Sequence, residues 1–361
     1  MKFRWNTTDL ETDIRTGSIV RQTMFMKEFS DEWERPFLVI DSEVARLWNN
    51  ELQSVIMSAS GLYVMVADEK LKNTFTLARI WDSMSEAGIH RDTPVAVIGG
   101  GLVCDIGAMA ASTYLRGLRL MLVPTTLLCM VDACLGGKTG VNLVGAKNQV
   151  GTFSPAEKIV ISPEFLSTLP EREFRSGIAE IIKTALIGDS SIRESLEHLD
   201  IKNPDTDGIH GIVRKCLEVK GRIVSEDLKE TGKRMLLNLG HTIGHVLESA
   251  SGFHLSHGEA VGLGLVGEAV MATKLGGSKS LSGEIRYLLK KAGLPTNISG
   301  IIPEKGLYDL LNRDKKTRRD GRVWSLPFDW LDCRLMKLTS DREEEIFPGV
   351  ISQLESTDLS I

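Results

Sequence analysis

Between residues 36 and 164 the chain alternates short apolar runs with longer amphipathic stretches. The runs PFLVIDS, GLYVMVAD, PVAVIGGG, LRLMLVP and KIVISPE are of strand length and nearly continuously apolar, as expected for strands buried on both faces. Helix-length segments such as LKNTFTLARIWDSMSEAG separate them. This alternation predicts parallel strands joined by crossover helices, hence an α/β fold whose ligands sit at the carboxyl edge of the sheet. After Glu171 the period changes. REFRSGIAEIIKTALIG, IHGIVRKCLEVKGRIVSED and EAVGLGLVGEAVMATKLG repeat their apolar positions at helical spacing, so the second half is expected to be mostly α-helical. The turn TLPERE marks the expected boundary, giving domains 1–170 and 171–361. The acidic end, SDREEEIFPGV onward, reads as a solvated terminal segment.

Composition narrows the class. The 361 residues are 42% hydrophobic and 25% charged, enough for two domains with real cores. A net charge of −5 gives no global attraction to nucleic acid or anionic membrane, so any anion binding must be local. The five cysteines (Cys104, Cys129, Cys134, Cys216, Cys333) form no CxxC pair, which argues for reduced thiols in a cytoplasmic protein. The N-terminus lacks a signal-peptide pattern, and the most apolar run, Leu118 to Val131, is interrupted by Arg119 and Pro124, so no membrane span is expected.

Three stretches carry candidate chemistry. PVAVIGGGLVCDIG places glycines directly after a buried strand and before a helix, where backbone N–H groups hold a pyrophosphate. The strict dinucleotide fingerprint is met by Gly99 and Gly101, but Cys104 occupies the third glycine position. Asp41, ending the first of the apolar runs, is placed to meet a ribose. In CMVDACLGGKTGVNLVGAKN the GGKT resembles a triphosphate-binding loop, but that loop needs glycine where Asp132 stands, and the reading fails. What remains is Lys138, Lys147, Asn148 and Asp132 on glycine-rich backbone, groups suited to a phosphorylated polyol and equally to a mobile surface loop.

The third stretch runs from Arg234 to Val261 and holds four of seven histidines. Read as one helix, Arg234, Asn238, His241, His245 and Glu248 share an arc of about 80°. Such a face usually meets water, yet this one carries His, Asn and Arg where a solvated face carries Lys and Glu. Two imidazoles, from His241 and His257, and a carboxylate, Glu180 with Lys183 one turn on, would make a catalytic divalent-metal site. Spacing leaves His245 an equal candidate ligand.

Taken in order, GGG-x-x-x-D, STYLRG, VPTTLL, VDACLGGKTGVN, AKN, TLPERE, GIAEIIK, NLGHTIGH and HGEAV resemble the 3-dehydroquinate synthase family of sugar phosphate cyclases, over roughly Asp41 to Leu265 with a weaker match at RDKKT. The resemblance implies a Rossmann-like NAD-binding domain and a helical metal-binding domain, with substrate between them. It implies Zn²⁺ or Co²⁺ on Glu180, His241 and His257, which gives His245 a separate role. NAD would meet Asp41, Glu69, Lys72, Gly100, Gly101, Asp105, Thr125 and Thr126. Catalysis and substrate binding would fall to Lys138, Asn148, Lys183, Lys220, Arg234, Asn238 and His245, with Asp132, Lys147 and Lys315. Arg116 would reach a neighbouring subunit's phosphate, implying a homodimer. The implied reaction converts 3-deoxy-D-arabino-heptulosonate 7-phosphate to 3-dehydroquinate and phosphate, with NAD regenerated in each turnover. Sister cyclases making 2-epi-5-epi-valiolone, 2-deoxy-scyllo-inosose or amino-dehydroquinate share most of these groups, and a metal-dependent polyol dehydrogenase shares the two-domain plan.

Overall fold

A computed structural model describes residues 1–5, 10–143, 146–252, 254–300, 307, 311 and 321–356. The chain divides into two compact units, Met1–Pro170 with Val224–Lys229, and Glu171–Ile223 with Glu230–Ile361.

The first unit holds a seven-stranded sheet in the order β1-β2-β9-β6-β5-β3-β4. Its strands are β1 (Lys2–Arg4), β2 (Glu11–Thr16), β3 (Phe37–Asp41), β4 (Gly61–Met65), β5 (Val95–Gly99), β6 (Leu120–Pro124) and β9 (Lys158–Ile161), while β7 (Val141–Leu143) and β8 (Ala146–Val150) form a separate hairpin. The five apolar runs are β3, β4, β5, β6 and β9, and every pair from β2 to β4 is parallel. β3, β5, β6 and β9 are buried along their whole length, the reason their sequences are almost continuously apolar. β1 and β2 were not legible: KFR and ETDIRT are short and charged, and they are recruited by pairing β2 alongside β9 at the sheet edge. The helices of this unit are α1 (Gln22–Lys27), α2 (Ser42–Leu47), α3 (Asn49–Ser58), α4 (Thr74–Glu86) and α5 (Gly101–Thr113).

The order in which the strands are laid down creates a switch point. The chain steps from β3 outward to β4, then returns to place β5 on the other side of β3. Crossovers therefore leave in opposite directions from the carboxyl ends of β3 and β5, opening the crevice where α/β sheets bind ligands.

The second unit is built from α6 (Glu171–Gly188), α7 (Ser190–His198), α8 (Thr206–Glu226) as far as Ile223, α9 (His241–Ala250), α10 (His257–Lys274), α11 (Leu281–Lys291) and α12 (Ser340–Glu355), with the antiparallel hairpin β10 (Arg322–Asp329) and β11 (Asp332–Leu338). α10 is the central rod, packed by α6, α9, α11, α12 and β10. Its glycines allow that crowding. A Cβ on Gly264 would lie 1.9 Å from the Gly240 carbonyl oxygen, and one on Gly258 would lie 2.1 Å from that of Ser176. α9 and α6 thus approach α10 backbone to backbone.

Two expectations from the sequence are corrected. The stretch from Arg234 to Glu248 is not one helix: a 3₁₀ turn spans Lys233–Asn238, and α9 starts only at His241. Gly240, at φ +80°, takes a left-handed conformation that glycine adopts without strain, and it breaks the helical path. Arg234 and Asn238 therefore do not share a helix face with His241 and His245. Nor is the acidic end simply solvated: Asp341, Glu344 and Glu345 are exposed, but the segment also carries a buried face. It forms α12, which buries Ile346, Phe347, Val350 and Leu354, and its fully buried Glu343 accepts a hydrogen bond from the Trp324 indole at 2.8 Å.

Candidate functional site

The polar groups of the first unit gather at the carboxyl ends of its parallel strands, as the shared strand direction dictates. Asp41 ends β3, Glu69 and Lys72 follow β4, Gly100 and Gly101 follow β5, and Thr125 and Thr126 follow β6. Gly100 is the N-cap of α5 and supplies no side chain, so the first N–H groups of that helix face the switch point uncovered. A Cβ on Gly100 would sit 2.8 Å from Thr126 Cγ2, so any side chain there would force Thr126 to shift. The glycine missing at Cys104 has a substitute: Gly107 packs α5 on β5, where a Cβ would meet Val97 at 2.8 Å.

Asp41 has a local task as well. Its carboxylate accepts from the Glu43 N–H at 2.9 Å and caps α2, and burial raises its pKa despite that bond. Lys72, 4% exposed, ties helix α5 to the β7–β8 hairpin: its ammonium donates to Asp105 at 2.6 Å and to the Asn148 side-chain oxygen at 2.6 Å. Glu69 accepts instead from Asn142, whose own oxygen receives the Asn148 N–H at 2.8 Å. Asn148 is held at φ +53°, a left-handed conformation that asparagine tolerates better than most residues. Lys138 and Lys147 are exposed, and Asp132 is half-buried in a single π-turn at Cys129–Ala133. Arg116 is exposed in a tight turn, with Leu115 and Arg116 both at positive φ.

In the second unit Glu180 of α6, His241 at the first turn of α9 and His257 at the first turn of α10 bring one ligating atom each within 4.8 Å of the others. Glu180 is fully buried. Its Oε1 lies 3.5 Å from His241 Nε2 and 3.3 Å from His257 Nε2, and its Oε2 meets the Lys183 ammonium at 2.5 Å. His241 Nδ1 lies 3.0 Å from the Leu239 carbonyl; since a carbonyl can only accept, Nδ1 carries the proton and Nε2 keeps its lone pair toward Glu180. Burial pushes His241 down to about 3, with Lys183 and the two nearby imidazoles adding to the effect against Glu180. It is neutral at pH 7, the form that binds a cation. Burial also acts to lower His257, but its hydrogen bond and attraction to Glu180 outweigh that, and its pKa is raised. A buried carboxylate shared by two imidazoles, one with an orienting carbonyl behind it, fits a divalent cation.

His245 does not join the three. It is exposed, one turn after His241, with its ring 5.5 Å from that of His241 and 6.4 Å from that of His257. Arg234 (2% exposed) and Lys220 (7%) are buried, and Asn238 donates to Glu230 at 2.5 Å. Lys315 lies outside the described residues.

Two supporting residues were not picked out. Glu259, in HGEAV, closes a capping box with Ser256 at the start of α10 and pairs with Arg172 at 2.6 Å. The spacing S-x-x-E was a usable signal for it. Glu268 lies fully buried beside the start of α9; burial drives its carboxyl up to about 8 even though the N–H groups of Gly240, Ile243 and Thr242 favour its charged form. Nothing local in the sequence announces that role.

The fold belongs with the sugar phosphate cyclases. Over 96% of this chain and 98% of the other it is similar to 2-epi-5-epi-valiolone synthase from Streptomyces hygroscopicus, solved with NAD⁺ and Zn²⁺ bound (TM-score 0.83, 26% identity). A 2-deoxy-scyllo-inosose synthase solved with carbaglucose-6-phosphate, NAD⁺ and Co²⁺ shares the fold at TM-score 0.84 and 22% identity, over 96% and 98% of the two chains. Sequence is more specific. The family descriptions "3-dehydroquinate synthase N-terminal" and "3-dehydroquinate synthase C-terminal" match residues 62–176 and 177–317. 3-Dehydroquinate synthase from Legionella pneumophila is 40% identical over 78% of each chain, and that from Pyrococcus abyssi 38% over 80% of this chain and 87% of its own. The chain belongs to the 3-dehydroquinate synthase family.

Proposed function

We propose that the protein is an NAD- and divalent-metal-dependent 3-dehydroquinate synthase, a phosphate-eliminating lyase acting on 3-deoxy-D-arabino-heptulosonate 7-phosphate in the cytoplasm, as a homodimer. Among the described residues no helix is long and apolar enough to cross a membrane. The observation that carries the reading is the convergence of Glu180, His241 and His257, backed by buried Lys183, in a chain of this family.

Glu180, His241 and His257 would hold Zn²⁺ or Co²⁺, and the edge formed by Asp41, Glu69, Lys72, Gly100, Gly101, Asp105, Thr125 and Thr126 would hold NAD. When bound, the two supply Lewis acidity at a substrate hydroxyl and a reversible hydride acceptor. The protein's own groups do the rest. Lys138, Lys147, Lys220 and Arg234 bind phosphate and carboxylate, and Asp132, Asn148 and Asn238 accept or donate to hydroxyls. Lys183 holds the inner oxygen of Glu180, leaving the outer one for the imidazole side. His245 Nε2 or Nδ1 exchanges protons with substrate near neutral pH, where imidazole is effective. Arg116 offers its guanidinium to the phosphate of the second subunit's substrate.

Purified protein with NAD and Zn²⁺ should release inorganic phosphate from the heptulosonate phosphate without accumulating NADH. Accumulated NADH without phosphate would overturn the reading in favour of a polyol dehydrogenase. Phosphate release only from sedoheptulose 7-phosphate or glucose 6-phosphate would move the protein to a sister cyclase.

A further inference from the structure

The peptide joining Leu239 to Gly240 has both of its polar groups committed. Its carbonyl oxygen, on Leu239, faces His241 Nδ1 at 3.0 Å, and its N–H, on Gly240, donates to Glu268 Oε2 at 2.5 Å. Leu239 (φ −54°, ψ 130°) and Gly240 (φ 80°, ψ −16°) have the dihedrals of the two central residues of a type II turn. Type I differs chiefly by a half-rotation of this central peptide, and glycine at the second position permits both. Such a rotation would carry the Leu239 carbonyl away from His241 and free the imidazole to rotate. Something must therefore hold the peptide. Glu268, on α10, is fully buried, and its second oxygen accepts from the Ile243 N–H at 3.4 Å, spanning the open end of α9 where the N-cap, Gly240, has no side chain to offer.

We propose that Glu268 is a positioning residue of the metal centre: by locking the Leu239–Gly240 peptide it fixes the tautomer and ring orientation of His241. The inference rests on the reading of Glu180, His241 and His257 as metal ligands. Glu268 is not one of the three clustered side chains; it acts through the peptide that orients the imidazole. Outer partners of this kind typically contribute about 10- to 100-fold in metal affinity.

The test measures Zn²⁺ affinity by competition with a chelating dye and the visible absorption of the Co²⁺-substituted protein. Four full-length variants are compared with the parent chain: Glu268→Met, which keeps volume but accepts nothing; Glu268→Asp, which is one methylene short; Glu268→Gln, which keeps an accepting oxygen; and Glu343→Met. Glu343 is another fully buried carboxyl of the same unit, bonded to Trp324 rather than to α9. Expected are Zn²⁺ affinities about 10- to 100-fold weaker with altered Co²⁺ absorption for Met and Asp, and near-parental values for Gln. Glu343→Met should lower the melting temperature alone. Should Glu268→Met not fold, the Asp and Gln variants decide. Parental affinity and Co²⁺ absorption in Met or Asp overturn the proposal, as does an equal loss in Glu343→Met. A parental chain that binds no Zn²⁺ removes the metal reading itself, a separate outcome.

Discussion

The carboxyl edge of the first unit's sheet and the Glu180–His241–His257 cluster of the second are assembled from different materials. At the sheet edge the positions come from backbone: strand ends, a helix N-terminus freed of side chains by Gly100, and a hairpin tied to that helix through Lys72. Several of its side chains, Glu69, Lys138 and Lys147 among them, stand exposed. In the second unit the positions come from buried charge on packed helices, with Glu180 and Lys183 0% and 1% exposed and the helices in backbone contact at glycines. A surface built from N–H groups and loops tolerates replacement of its exposed side chains, and the buried Lys72 is the exception. A buried shared carboxylate does not, because each partner it loses is left charged in a poorly solvated place.

The largest effect that would break this contrast is expected at Glu180. Glu180→Ala should abolish stoichiometric Zn²⁺ binding and phosphate release, and should cost about 3–5 kcal/mol of stability in chemical denaturation because Lys183 is left buried without its carboxylate. Retained Zn²⁺ binding would mean that the cluster is a structural ion network. Next comes Lys72→Met, which removes two charge-assisted bonds. Calorimetry should find NAD affinity about 10- to 100-fold weaker with Zn²⁺ affinity unchanged. A loss of both together would show that the two regions are not built independently. The smallest effect is a slope. His241 has given up its proton by about pH 3, whereas Glu180 holds the proton of His257 above the usual imidazole range, so one proton leaves when a cation binds. Protonated His257 excludes the cation; affinity should therefore rise about tenfold per pH unit as pH climbs toward the raised pKa of His257, and flatten above it. Competition titrations across that window check the slope, and about a hundredfold per unit would mean that both imidazoles start protonated.

The sequence by itself determined the parallel sheet, because strands buried on both faces need unbroken apolar runs that few other elements carry. It also determined the helical second half, through its 3.6-residue period, and the types of residue available for chemistry. His241, His257 and Glu180 were visible as a possible triad, yet His245 was an equal candidate, since one helical turn separates it from His241 and spacing alone cannot say which imidazole meets a carboxylate on another helix. Tertiary structure decided that through the close crossing of α6, α9 and α10 at Gly258 and Gly264. It also decided what periodicity misread. The path through Arg234 and His241 is broken at Gly240, where a carboxylate from α10 holds a left-handed turn in place, and the charged end at Ser340–Glu355 packs as a helix because α10 and Trp324 of β10 offer it a surface. Local pattern fixes what a segment can form; contacts between segments far apart in sequence choose the dihedral at a permissive glycine and the burial of an ambiguous helix, and no local window contains them.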